Sequence, residues 1–147
     1  MVQASSPSAG PEALERVRQF LATGLQHATI ATVNADGSPH QALIWCRLDG
    51  DTLVINSAVG RIWPANLRRD PRISVTLADG PRWIAIRGSV EVVDERAAAQ
   101  ADIAAMARHY HADEPERAEE LIRARFELQR RVSFRLSLTS SKLHFED

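Results

Sequence analysis

Three Asp-Gly pairs, Asp36-Gly37, Asp49-Gly50 and Asp79-Gly80, constrain the fold of this chain more than any other feature. Asp-Gly supplies the turn geometry and positive φ on which tight hairpins depend. Each pair separates runs that read as β-strands, at residues 29–33, 39–48, 52–56, 72–77 and 83–93. A sixth run, 132–138, alternates in polarity, and 143–145 extends the sheet. Successive short hairpins make an antiparallel meander. About six strands with peripheral helices predict a mainly β chain closing into a small six-stranded antiparallel barrel.

Helices are expected at 11–24, 62–69, 95–108 and 115–129. Pro11 and Glu12 suit a helix start, Gly24 suits its stop, and Leu14, Val17 and Leu21 form an apolar stripe with Phe20 beside it. Asp70-Pro71 ends the short second helix, because a residue before proline avoids the helical region. Gly88 inside a strand run marks a bulge or a close backbone approach. Residues 1–10, rich in Ser, Pro and Ala, read as a disordered lead-in, and 11–147 as one domain without repeats.

Net charge is −1, so no global field favours nucleic acid or a membrane surface. No apolar run reaches the roughly 18 residues of a membrane span. The single cysteine, Cys46, permits no internal disulfide and fits a reducing cytoplasm. Beside Trp45 in a strand run, it reads as a small buried apolar residue. Lys142 is the only lysine, and the arginine and alanine bias fits a GC-rich bacterial genome.

Charge is uneven on a smaller scale. Between Arg61 and Arg87 lie six arginines (Arg61, Arg68, Arg69, Arg72, Arg82, Arg87) against Asp70 and Asp79. Guanidinium groups grip phosphate and carboxylate through paired, charge-assisted hydrogen bonds. The segment therefore reads either as an anion site or as a solvated helix face. Arg61, at the helix start, is the better ligand candidate. Trp63 and Trp83 bracket the segment and offer rings for stacking or for packing. His109 and His111, two apart with no third ligand at a usual interval, predict no metal site. No nucleophile elbow, Cys/His signature or phosphate-binding Gly-Lys loop is present. No catalytic side chain stands out, which favours chemistry carried by a cofactor that the protein binds and orients.

Four segments together carry a resemblance: Ala31-Thr32-Val33 with Asp36-Gly37 and Pro39-His40; Asp49-Gly50-Asp51; Asn66-Leu67-Arg68-Arg69-Asp70-Pro71-Arg72; and Trp83-Ile84-Ala85-Ile86-Arg87-Gly88. Over residues 20–138 the chain resembles the pyridoxamine 5′-phosphate oxidase-like superfamily. More narrowly it is similar to the F420-dependent flavin/deazaflavin oxidoreductases of actinobacteria, B group. The Asn66–Arg72 segment is the most specific part.

The resemblance implies an FMN-binding split β-barrel working as a cytoplasmic homodimer, with F420 or FMN in clefts at the subunit interface. It places the cofactor phosphates at Asn56, Ser57 and Arg61, with Ile62 and Trp63 at the helix start. It places the ring along Gln41, Ala42, Leu43 and Ile44, with Trp83 near the cleft. Relatives commonly carry a lysine where Trp63 stands, and many a basic residue where Ala65 stands. The implied activity is hydride transfer from reduced F420 to an unsaturated organic acceptor. An FMN oxidoreductase and a non-catalytic ligand carrier of the same fold are the alternatives.

Overall fold

A computed structural model describes residues 10–22 and 27–146. The lead-in before Gly10 and the helix stop at Gly24 lie outside the described residues. Helix α1 (Pro11–Ala22) buries Leu14, Val17 and Phe20. Strands β1 (Ala28–Val33) and β2 (Pro39–Ile44) form the first hairpin, with Gly37 at its turn at φ 87°. Strands β3 (Arg47–Asp49) and β4 (Thr52–Ala58) form the second, with Gly50 at φ 59°. Helix α2 (Ile62–Arg69) leads to β5 (Arg72–Asp79), β6 (Arg82–Ser89) and β7 (Glu91–Val93). Helices α3 (Arg96–Tyr110) and α4 (Pro115–Ala124) precede β8 (Arg131–Ser137) and β9 (Lys142–Glu146).

The described strands number nine, in two antiparallel sheets ordered β2-β1-β5-β6-β9 and β3-β4-β8-β7. The mainly β, antiparallel architecture with helices is as expected; among the described residues the strands form a five-stranded and a four-stranded sheet and not a closed six-stranded barrel. Two runs that read as single strands are each cut in two. The run 39–48 breaks at Trp45-Cys46, where the Tyr110 hydroxyl takes both backbone groups of Cys46. It accepts from the Cys46 N–H and donates to the Cys46 carbonyl, both at 3.2 Å. The run 83–93 breaks at Val90, whose N–H donates to the Pro71 carbonyl at 2.9 Å. A backbone group bonded outside the ladder lets the chain leave one sheet and enter the other.

Gly88, just before the second break, is a close approach. A β-carbon there would stand 2.6 Å from Ser141 Oγ and 2.9 Å from Leu136 Cδ1. The main core lies between the sheets and includes Ile30, Leu53, Ile55, Leu67, Val75, Ile86, Phe134 and Leu143, with α1 and Trp63 packed into it. A second cluster forms where α3 and α4 cover the other face of the β4–β8 pair, through Val54, Ile103, Met106, Tyr110, Ile122 and Phe126.

Two helix boundaries differ from expectation. Glu95 is the N-cap of α3, its carboxylate accepting from the N–H groups of Ala97 and Ala98. The helix expected over 115–129 ends at Ala124. Arg125 leaves helical geometry at φ −129°, and a 3-10 turn follows at Phe126–Leu128. That break turns Arg125 and Phe126 toward the cleft described next.

Candidate functional site

A cleft of about 350 Å³ opens where β2 ends, between the start of α2 and the Arg125–Phe126 corner. Its walls come from four places. The β2 end supplies Leu43, Ile44 and Trp45; β4 supplies Asn56; the α2 start supplies Arg61 and Trp63; and the far wall is Ile103, Arg125, Phe126 and Arg131, with His27 at the edge.

Trp45 gives the cleft an aromatic side. Its ring stacks on Tyr110 at 4.9 Å and meets Phe126 edge-on at 6.3 Å. Leu43, 69% exposed, stands on the rim. β2 is an edge strand of its sheet, so about half of its backbone N–H and C=O groups have no ladder partner among the described residues.

The opposite side is cationic. Arg131 is 7% exposed, a rare degree of burial for arginine. Among the described residues, no carboxylate lies within ion-pair distance of Arg61, Arg125 or Arg131. Arg131 is held by neutral groups. Its Nε donates to Asn56 Oδ1 at 2.9 Å, one terminal nitrogen donates to Gln129 Oε1 at 2.5 Å, and its guanidinium lies 4.9 Å from the Phe126 ring centre. Desolvation, reinforced by the nearby charges of Arg61 and Arg125, pulls the Arg131 guanidinium down to about 10. Buried charges are normally paired, so a buried guanidinium beside two others describes a place prepared for an anion.

The arginine-dense segment resolves differently from its sequence pattern. Arg68 forks onto Asp94 at 2.9 and 2.5 Å, Arg72 pairs with Asp70 at 2.6 Å, and Arg82 with Asp79 at 2.7 Å. Arg69 donates to the Val33 carbonyl and to Asn66 Oδ1, which ties α2 to the first hairpin. These four already have protein partners, and only Arg61 of the segment lines the cleft.

Of the residues expected at a cofactor, the cleft brings together Leu43, Ile44, Asn56, Arg61 and Trp63. It does not draw on Gln41, Ala42, Ser57, Ile62 or Trp83. Gln41 is exposed, Ala42 packs against the core, and Ile62 points to solvent at 59% exposure. Ser57 is 2% exposed and donates to the Ala58 carbonyl. Trp83 stands on β6, three strands from β2, against the His144 ring. Trp63 is 4% exposed and packs on Phe134 at 5.6 Å, so it is a core residue that borders the cleft. Asn56 lines the cleft with its amide bonded to the Ala99 carbonyl, Ser133 and Arg131.

Sequence reasoning missed Trp45, Arg125, Phe126 and Arg131. A signal existed for the last. The alternation in β8 sends Val132, Phe134 and Leu136 into the core and leaves Arg131, Ser133 and Arg135 on the face beneath α3. An arginine on a covered strand face needs an explanation that a solvated one does not.

Nor is Cys46 a nucleophile. Burial, only partly offset by the Tyr110 hydrogen bond, pushes its thiol up to about 11. Among the described residues, no three His, Cys, Asp or Glu side chains gather as a metal site, and no helix is long and apolar enough to cross a membrane.

Residues 13–139 match the family model for pyridoxamine 5′-phosphate oxidase. The chain belongs to this family. No curated protein sequence matches it. Among solved structures, this oxidase-family chain is similar to a conserved hypothetical protein of Mycobacterium tuberculosis, at 22% identity and TM-score 0.75, over 99% of this chain and 90% of that one. It is also similar to an FAD- and heme-binding protein of Mycobacterium smegmatis, at 24% identity and TM-score 0.66, over 90% and 71% of the two chains. An F420 reductase aligns at 19% identity and TM-score 0.54, over 82% and 89%. At these identities the likeness is one of fold.

Proposed function

We propose that this oxidase-family chain is a cytoplasmic F420H2-dependent oxidoreductase that reduces an unsaturated organic acceptor. The observation that carries this reading is Arg131, a buried guanidinium with no carboxylate partner, facing the same cleft as Arg61 and Arg125. Three cations opposite an apolar and aromatic wall suit a flat heteroaromatic ring bearing a tail with more than one negative charge. F420 has such a tail. When bound, it supplies the hydride, and the protein supplies the geometry.

In this reading Arg61, Arg125 and Arg131 hold the tail. They also replace the cations that the resemblance leads one to expect at Trp63 and Ala65. The free edge of β2 offers backbone groups to the ring, and Leu43, Ile44 and Trp45 exclude water from it. No side chain is assigned as acid or base, because a cleft water can protonate the product.

The same reading makes the protein a homodimer. Leu43, Ile62 and Leu128 are 69%, 59% and 79% exposed, and each lines the cleft or lies within two residues of a lining residue. Apolar rims of this kind are covered by a partner. Trp83 would reach a cleft from the second subunit.

The test is fluorescence titration of the purified protein with F420, with FMN in parallel. Micromolar F420 binding, weakened by Arg61→Ala, supports the proposal. Preferential FMN binding would replace it with a flavin oxidoreductase. Tight binding without turnover across a broad acceptor panel would make the protein a carrier. A solution mass equal to the 16.3 kDa monomer would remove the interfacial cleft.

A further inference from the structure

Asn56 was expected to touch a ligand, yet both ends of its amide are bonded to protein. Its Nδ2 group donates to the Ala99 carbonyl and to Ser133 Oγ, both at 2.9 Å, and its Oδ1 accepts from Arg131 Nε. The orientation of this amide is fixed, because a carbonyl only accepts and a guanidinium only donates. Ser133 therefore receives a hydrogen from Asn56 and has its own proton left to give. It gives that proton to Asp102 Oδ2 at 2.7 Å. Asp102, on α3, is 3% exposed, and its other oxygen accepts from Arg47 at 3.3 Å. Arg135 stands 3.7 Å from the Ser133-bonded oxygen.

The hydrogen bonds thus run in one direction. Arg131 donates to Asn56, Asn56 to Ser133, and Ser133 to Asp102. Such a chain is polarised along its length by the carboxylate at its end. The cleft's most buried cation is thereby linked, through two neutral side chains, to the only buried carboxylate among the described residues. No direct ion pair forms, so the guanidinium keeps its remaining donors for another partner.

We propose that Asp102 is a positioning residue for the anion site. Through Ser133 and Asn56 it holds Arg131 at a fixed angle in the cleft, without neutralising it by contact. This rests on the reading of the cleft as an anion site, but not on which cofactor fills it. A direct Asp–Arg131 pair would occupy the fork that a phosphate needs, whereas an amide relay leaves it open. Arg47 and Arg135 provide Asp102 with local charge balance on its other side.

The probe is inorganic pyrophosphate, titrated by calorimetry against the full chain. Asp102→Asn should weaken it at least fivefold. Ser133→Ala should do the same, since it cuts the relay and leaves Asp102 on Arg47. In an Arg131→Gln background, neither change should alter pyrophosphate affinity by more than twofold. With arginine side chains labelled with 15N, the Arg131 Nε–H signal should be protected from solvent exchange in the native chain. It should lose that protection in Ser133→Ala.

Equal weakening in both backgrounds would overturn the proposal, since Asp102 would then act on the fold at large. So would an unchanged Arg131 signal in Ser133→Ala, or a native chain that does not bind pyrophosphate. Pyrophosphate binding coupled through Arg131, together with failure to bind F420, would leave this inference standing and remove only the cofactor assignment.

Discussion

Replacing Arg131 with glutamine separates an anion-holding role from a structural one. Burial beside Arg61 and Arg125 pulls the guanidinium well below its ordinary range, to about 10. At about 1.36 kcal/mol per tenfold change in the acid constant, keeping it charged at neutral pH costs the folded state about 3 kcal/mol. Glutamine removes that cost. It also removes the charge-assisted bond to Asn56 and the contact with Phe126. A hydrogen bond to a charged group contributes about 1.5–3 kcal/mol. The two changes offset, so Arg131→Gln should leave stability within about 2 kcal/mol of the native chain.

Ligand affinity has no such offset. Loss of one buried charge-assisted bond to an anion is worth about 1.5–3 kcal/mol, or roughly 10- to 100-fold in Kd. The assay pairs denaturant unfolding with titration by F420 and by pyrophosphate. Ligand-induced stabilisation is a second readout, about 2.7 kcal/mol at a hundredfold excess over Kd for the native chain and much less for the variant. Destabilisation beyond about 3 kcal/mol with affinity intact would refute the reasoning and make Arg131 a structural cation.

Trp63→Lys, which installs the lysine common in relatives, should destabilise by about 3–5 kcal/mol without improving F420 affinity. Trp63 is 4% exposed and packed on Phe134, and losing a buried tryptophan costs that much; a gain in F420 affinity at unchanged Tm would refute this. Gly88→Ala should lower stability by about 1–3 kcal/mol in urea unfolding, because the new β-carbon collides with Ser141 and Leu136. An unchanged midpoint would mean that the sheets part at little cost. Cys46 should resist alkylation at pH 8, with its thiol near 11 against an ordinary 9.0. Because the folded value is raised, its contribution to stability is whole below pH 9 and is lost as pH rises through 11. Cys46→Ala should flatten that alkaline decline, and an unaltered pH profile would contradict it.

The Asp-Gly turns and the strand runs around them were legible because hairpin geometry is local. Residues within a few positions decide it, and Gly37 and Gly50 take the positive φ that their turns need. The family was legible for a similar reason, since Asn66–Arg72 is one continuous segment. The sheet count was not. The two strand breaks depend on the Tyr110 hydroxyl, 64 residues from Cys46, and on the Pro71 carbonyl far from Val90. The site divides along the same line. Arg61 could be picked out by its place at a helix start. Arg68, Arg69, Arg72 and Arg82 looked equally cationic until their partners were known, and Asp94 lies 26 residues from Arg68. Composition gives charge, but only tertiary contact decides which charges are already matched. Arg131 shows the converse. The alternation of β8 could mark it as an arginine on a covered face, but the role proposed for it rests on burial without a carboxylate and on a relay to Asp102 that the packing of α3 against β4 and β8 creates.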